Sequence, residues 1–146
     1  MATYRAEADL PYAPEQVFDL VADIERYPVF LRHLAAARIT RRDGNTLWVD
    51  QVVRIAMLRL RFRSRAVLER PTRIHVVCDD SVFGRFDEAW TFAPGPLGGT
   101  RLRCEATYEL RSAVLRVGLG TVLGEILAAT VRAFQARARQ MYGLGA

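Results

Sequence analysis

A chain of 146 residues is long enough to bury most of its apolar surface in one core and has the size of one ordinary domain. Hydrophobic residues make up 51% and charged residues 25%, which excludes a disordered chain. The net charge is +5, and all 21 cationic side chains are arginine, a residue that forks onto phosphate in anionic lipid or RNA without charge alone choosing between them.

Residues 3–10 alternate, with Tyr4, Ala6, Ala8 and Leu10 on one side and Thr3, Arg5, Glu7 and Asp9 on the other, which predicts a half-buried strand. Pro11 and Pro14 break it. Residues 14–22 then read as a short helix with Pro14 in its first turn and Val17, Phe18 and Val21 on its buried side. Residues 23–34 read as a second short helical segment, interrupted at Tyr27-Pro28 because proline disfavours helix at the residue before it. Period two takes over from there. Residues 37–42 and 47–55 flank the hairpin turn Asp43-Gly44-Asn45, and strands follow at 58–68, 73–79, 83–92 and 100–110. The turns between them fall at 69–72 and 93–99.

The last stretch, residues 112–142, reads as one long helix. Leu115, Leu119, Val122, Leu123, Ile126, Leu127, Val131, Phe134, Ala138 and Met141 recur at steps of three and four and form a single stripe, with Arg116, Arg132 and Arg139 opposite. Ser112 suits the N-cap and Gly143 the terminating position. Gly118, Gly120 and Gly124 crowd its first half, each costing roughly 1 kcal/mol against alanine. Two readings of them stand: close packing of helix on sheet, or a lid or ligand seat. The element order, one strand, two small helices, six strands and a long helix, is an α+β layout in which a bent antiparallel sheet wraps the helix. No run approaches the roughly 18 apolar residues of a membrane span, and the N-terminal residues lack a signal-peptide core, so a cytoplasmic location is expected.

Alternation aims Val49, Gln51, Val53, Leu60, Phe62, Ser64 and Ala66 inward, then Ile74, Val76 and Cys78. Phe86, Glu88, Trp90 and Phe92 join them, with Leu102, Cys104, Ala106 and Tyr108. Such a surface can line an apolar ligand cavity or simply make the core. Cys78 and Cys104, with a strand expected between theirs, are too far apart to bridge and read as two buried thiols. Glu88 is the polar exception. A β-bulge turning it outward beside Asp87 is the favoured expectation, and a buried carboxyl that orients a ligand is the alternative.

Catalysis has little support. His33 and His75 are far apart, no metal-ligand spacing occurs, and there is no nucleophile elbow or phosphate loop. Asp79-Asp80 reads as a solvated turn rather than a carboxylate pair. Arg59, Arg61, Arg63 and Arg65 fall on one face of a strand at about 6.8 Å intervals, with Trp48 and Arg54 placed by parity on the outer face of the neighbour. That row suits RNA or anionic lipid, or it is a solvated face paired with Glu105, Glu109 and other acids across the sheet.

Five segments in register resemble a known family: Pro11 through Val21, Arg26-Tyr27-Pro28 with Phe30-Leu31, Phe62-Arg63-Ser64-Arg65, Trp90-Thr91-Phe92, and Ala133-Phe134 with Arg137-Ala138 and Tyr142. The chain is similar to the coenzyme Q-binding, START-like proteins of the helix-grip (SRPBCC, Bet v 1-like) superfamily, a group that includes bacterial ribosome-association toxins and polyketide cyclase/dehydrase-type proteins. It departs from the pattern at Arg32-His33-Leu34, where Pro-Trp-Cys is usual, and at Ser81-Val82 before Phe83, where Gly-Pro is usual.

The resemblance implies a helix-grip fold over residues 1–146 and a cavity for an isoprenoid such as ubiquinone, with no cofactor required and no metal. The ligand contacts it implies are Tyr27, Phe30, Leu31, Gln51, Phe62, Phe83 and Phe86, together with Trp90, Phe92, Tyr108, Leu119, Leu123 and Leu127. The ligand tail is expected between sheet and helix, with residues 118–124 and 27–31 opening to admit it. The implied role is a quinone carrier or chaperone supporting respiration at the cytoplasmic face of the inner membrane. The toxin members imply instead a ribosome or RNA partner on Arg59, Arg61, Arg63 and Arg65. A cyclase would need Glu88 or Tyr108 as its acid or base.

Overall fold

A computed structural model describes residues 2–55, 57–78, 83–96, 98–119 and 122–143, the side chains of residues 117–119 excepted. The elements are β1 (Ala2–Leu10), α1 (Pro14–Ala22), a 3-10 turn (Ile24–Arg26), α2 (Tyr27–Phe30), β2 (Leu34–Asp43), β3 (Thr46–Ile55), β4 (Leu58–Glu69), β5 (Arg73–Cys78), β6 (Phe83–Pro94), β7 (Thr100–Leu110), α3 (Ala113–Leu119) and α4 (Val122–Tyr142). One antiparallel sheet runs in the order β1-β7-β6-β5-β4-β3-β2, so β7, the last strand, closes against β1, the first. The curved sheet and long C-terminal helix make the expected α+β, START/Bet v 1-like fold.

Local chemistry explains most boundaries. Pro14 enters α1 at its first turn, where its missing N–H has no partner to lose. Gly44 takes φ +58° in the two-residue turn between Asp43 and Thr46, a conformation that favours glycine. Arg70 grips Asp19 through two bonds of 2.8 and 3.0 Å, tying the β4–β5 turn to α1.

Two expectations are corrected. Tyr27 is helical (φ −52°, ψ −42°), so the segment is not interrupted at Tyr27-Pro28; Pro28 instead lies within the first turn of α2, and the chain becomes extended at Leu31. The strand expected from residue 37 begins at Leu34, and register shifts between Leu34 and Ala36 and between Ile39 and Arg41 blur its alternation. The stretch expected as one helix is helical on both sides of residues 120 and 121, as α3 and α4, and those two residues lie outside the described residues. Its caps are as expected: the Leu115 N–H donates to Ser112 Oγ at 3.3 Å, and Gly143 (φ +83°) donates to the Arg139 carbonyl at 2.9 Å.

Along α4 the stripe is buried at Leu127, Val131, Phe134 and Ala138 and ends there, because Met141 is exposed. The Tyr12 hydroxyl donates to the Gly143 carbonyl and the Tyr142 hydroxyl to the Gln16 carbonyl at 3.0 Å, anchoring the end of α4 to α1 and its approach. Cys78 and Cys104 are free thiols, on β5 and β7 with β6 between them; Cys104 is buried and Cys78 only partly so.

Candidate functional site

The inner face of the sheet divides into two parts. Around Phe18, Phe92, Leu102, Val131 and Phe134 the side chains meet and fill the space. Toward the other end they do not, and a cavity of about 170 Å³ lies between sheet and α4. It is lined from β3 by Val49, Gln51 and Val53, and from β4 by Phe62, Ser64 and Ala66. Ile74 and Val76 of β5, Phe83, Phe86, Glu88 and Trp90 of β6, and Ala106 and Tyr108 of β7 continue the wall. All but Phe83 are inward positions that alternation selects; Phe83 has the opposite parity and joins them across the register shift between Phe83 and Arg85. Leu123, Ile126, Leu127 and Thr130 of α4 form the opposite wall, and Ile24, Tyr27, Leu31 and Leu34 close one side.

Of the expected ligand contacts, Tyr27, Leu31, Gln51, Phe62, Phe83, Phe86, Trp90, Tyr108, Leu123 and Leu127 line this space. Two do not. Phe92 is buried against Phe18 at a centroid distance of 5.1 Å, in the filled part. Phe30 packs edge-on against Phe134 at 5.6 Å, with the Arg137 guanidinium 5.3 Å from its ring. The Leu119 side chain, Gly120 and Asp79-Asp80 lie outside the described residues. Tyr4, Ile24, Leu34, Ile126 and Thr130 line the cavity without having been singled out as contacts. Tyr4 and Ile126 carried a signal, the first in strand alternation and the second in the helix stripe; Thr130 carried none, since its hydroxyl bonds back to the Ile126 carbonyl at 2.8 Å within the helix.

Glu88 overturns the bulge expectation. It pairs in regular register with Val76 and Ala106, and the one irregularity in the β6–β7 ladder lies between Phe83 and Arg85. Its side chain therefore faces the cavity, where Oε1 accepts a 2.7 Å hydrogen bond from Trp90 Nε1. Burial pushes the carboxyl above its ordinary range, while the Trp90 N–H pulls the other way. The result is a carboxyl whose ionisation burial disfavours, inside an apolar space. Tyr27 and Cys104 are also raised, chiefly by burial, and the Tyr27 hydroxyl donates to the Val21 carbonyl. Tyr108 is raised by burial and then by its hydrogen bond with Tyr4.

The glycine question has an answer at Gly124. A Cβ there would sit 2.3 Å from Tyr4 Cε1, and the Tyr4 ring stacks on Tyr108 at 5.5 Å. Gly124 is thus the close approach of helix to sheet, with an aromatic ring held between its backbone and the next aromatic.

The outer face carries the arginine row as expected, with Arg59, Arg61, Arg63 and Arg65 all exposed. Arg54 stands opposite Arg59 and Trp48 opposite Arg65. The Arg41 guanidinium lies 4.6 Å from the Trp48 ring centre. The acids expected to neutralise the row are elsewhere: Glu105 binds Arg5 at 2.8 Å, on β7 and β1, and Glu109 is also on β7, with β5 and β6 between it and the row. Asp50, on the neighbouring strand, reaches it, 3.3 Å from Arg63. His33 and His75 are apart, bonded to the Arg54 carbonyl at 3.3 Å and to Asp87 at 2.7 Å. Among the described residues no three ligating side chains group for a metal, and no helix is long and apolar enough to cross a membrane.

Known proteins share this architecture. The chain is 27% identical to the ribosome association toxin RatA of Pseudomonas aeruginosa over 98% of this chain and 100% of that one. It is 25% identical to the mitochondrial coenzyme Q-binding protein COQ10 homolog B of Xenopus laevis, over 96% of this chain and 59% of that one. The ZhuI aromatase/cyclase from Streptomyces sp. R1128 has the same fold, with a TM-score of 0.87 at 16% identity and 99% coverage of both chains. Residues 10–135 match the family described as polyketide cyclase / dehydrase and lipid transport, and the chain belongs to that family.

Proposed function

We propose that this protein binds a hydrophobic isoprenoid carrying an oxygenated ring, ubiquinone being the ligand the sequence resemblance selects, and acts as its carrier. The observation that carries this reading is a single carboxyl, Glu88, held by Trp90 and facing a largely apolar, aromatic cavity that Gln51 and Ser64 also line. The volume also supports one orientation of the ligand. An apolar cavity of about 150 Å³ holds one benzene ring, so about 170 Å³ suits a substituted ring and not a polyprenyl chain. The ring therefore enters, its carbonyl accepting from Glu88, and the tail leaves the cavity; this reverses the tail-first arrangement expected from the sequence.

Trp90 lines the cavity and Trp48 lies on the outer face, so a Trp48→Phe variant isolates the internal fluorophore. Titration with a short-chain ubiquinone should quench it saturably, and Glu88→Ala should weaken binding about tenfold, the size of one hydrogen bond. Quenching that never saturates, or affinity indifferent to Glu88, would overturn the reading.

A second reading, association with the ribosome, is favoured by one observation: an exposed arginine row with Asp50 as its acidic partner, in a chain similar to RatA end to end. Replacing Arg59, Arg61, Arg63 and Arg65 with serine should abolish co-sedimentation with ribosomes. Retained co-sedimentation would remove the row from consideration.

A further inference from the structure

Five large apolar side chains stand exposed among the described residues, and three of them gather at one end of the sheet. Met57 is 97% exposed and Leu58 44%, at the β3–β4 tip, and Val114 is 81% exposed on α3. The antiparallel order puts the end of β3, the start of β4, the start of β6 and the end of β7 on this same edge. With strands about 4.8 Å apart, the tip and the β7–α3 junction are roughly 14 Å apart across the sheet, and the register carries the tip further along the strand direction than the end of β7. Scattered exposed apolar residues need no explanation, but a cluster on a protruding tip does.

Charge surrounds them. Arg54 and Arg59 face each other immediately behind the tip, and Arg61 follows, all exposed. Arg111, whose Nε donates to the Phe83 carbonyl at 3.2 Å, and Arg116 of α3 flank Val114. Glu125 is the acid in the first turn of α4, Glu109 stands across from Arg85, and Asp79-Asp80 lie in sequence between β5 and β6. The cavity runs toward this same edge: Phe83 is the first residue of β6, and Val53 and Tyr108 lie two residues from the ends of β3 and β7.

We infer that this end of the molecule docks on an anionic lipid bilayer, the Met57-Leu58 tip and Val114 entering the interface while Arg54, Arg59, Arg111 and Arg116 meet lipid phosphates. Apolar side chains inside a cationic rim match a membrane surface, which takes up both, better than RNA, which offers the apolar tip nothing. That docking delivers the cavity's ligand rests on the lipid-binding reading above; the docking itself does not.

The test is flotation of the full chain with quinone-free vesicles, either phosphatidylcholine alone or phosphatidylcholine mixed with phosphatidylglycerol. The chain should float with the anionic vesicles and stay behind with the neutral ones. Met57→Ser with Leu58→Ser should lower partitioning about tenfold or more, since a buried apolar side chain is lost at each position. Arg54→Ser or Arg59→Ser should lower it about fivefold each. All four side chains are exposed, so these variants leave the core intact. A wild-type chain that ignores anionic vesicles, serine variants that float as well as wild type, or a tip that is needed for ribosome binding and not for vesicles would each overturn the inference. Soluble short-chain quinone titrated into the same variants separates the two readings. Lost flotation with unchanged Trp90 quenching supports docking as a separate step, and flotation without quenching leaves docking standing while the ligand reading falls.

Discussion

The two ends of the inner sheet face are built from the same kinds of residue and behave differently. At one end Phe134 is fully buried and meets three rings, Tyr27 at 5.5 Å, Phe30 at 5.6 Å and Trp90 at 5.4 Å. At the other, Phe62, Phe83, Phe86 and Tyr108 touch one another at 4.9 to 6.3 Å yet border open space. The sheet does not make the difference, since inward positions are aromatic or aliphatic at both ends. The helix does. From Val131 onward α4 delivers Val131, Phe134 and Ala138 into the sheet, whereas its first turn presents Gly124, which fills nothing beyond contact with Tyr4. A cavity here is a matter of what the facing helix withholds.

The contrast can be broken most forcefully at Phe134. Phe134→Ala should cost about 3–5 kcal/mol in denaturant unfolding, as for a fully buried aromatic in a filled core. Phe86→Ala, facing space that is already empty, should cost clearly less. Equal losses at the two sites would mean that both ends are packed alike. Gly124→Ala comes next. Its methyl would collide with Tyr4, and overpacking costs about 1–3 kcal/mol, offset in part by roughly 1 kcal/mol of helix propensity. Removing the ring with Tyr4→Ala should abolish most of that penalty in a double-mutant cycle; strict additivity would show that Tyr4 is not what the glycine accommodates.

The smallest effect sharpens the comparison electrostatically. Glu88 has its carboxyl held above the ordinary range by burial, so the unfolded chain ionises first as pH rises. Stability contributed by the neutral form is complete below the unfolded value, near the ordinary carboxylate pKa, and is lost as pH climbs through the raised one. Glu88→Gln should therefore gain on wild type over that window and hold a constant lead above it. A lead that shrinks with rising pH would show that the carboxylate, not the acid, is what the cavity favours.

Much of this was legible in the sequence, because the strands announce themselves by alternation and their parity fixes which residues face the helix. Val49, Phe62, Ile74, Trp90 and Tyr108 all fall inward as a period of two requires. What stayed hidden depends on neighbours that are distant in the chain. Glu88 looked out of place inward because its partner Trp90, two residues away on the same face, gives no sign in sequence of reaching back. The bulges of β2 erase alternation where that strand begins. Glu105 and Glu109 seemed available to the arginine row until strand order placed them on β7, with Glu105 engaged by Arg5. Phe92 obeys the parity of Trp90 but lies far enough along β6 to meet Phe18 instead of the cavity.

The pairing of β1 with β7 has a consequence in time. Ala2 lies opposite Tyr108 and Leu10 opposite Thr100, so the first strand made has its partner among the last. At about 5–20 residues per second of synthesis, β1 waits roughly 5–20 s after emerging before any part of β7 exists. Throughout that interval Tyr4, Ala6, Ala8 and Leu10 are a bare half-apolar edge, while strands β2 to β6 can already zip together as successive hairpins. In that order the sheet grows from its β2 edge toward its β1 edge, and its first nine-residue strand is sealed last, by ion pairs such as Arg5–Glu105, Glu7–Arg103 and Asp9–Arg101 that register it along its length.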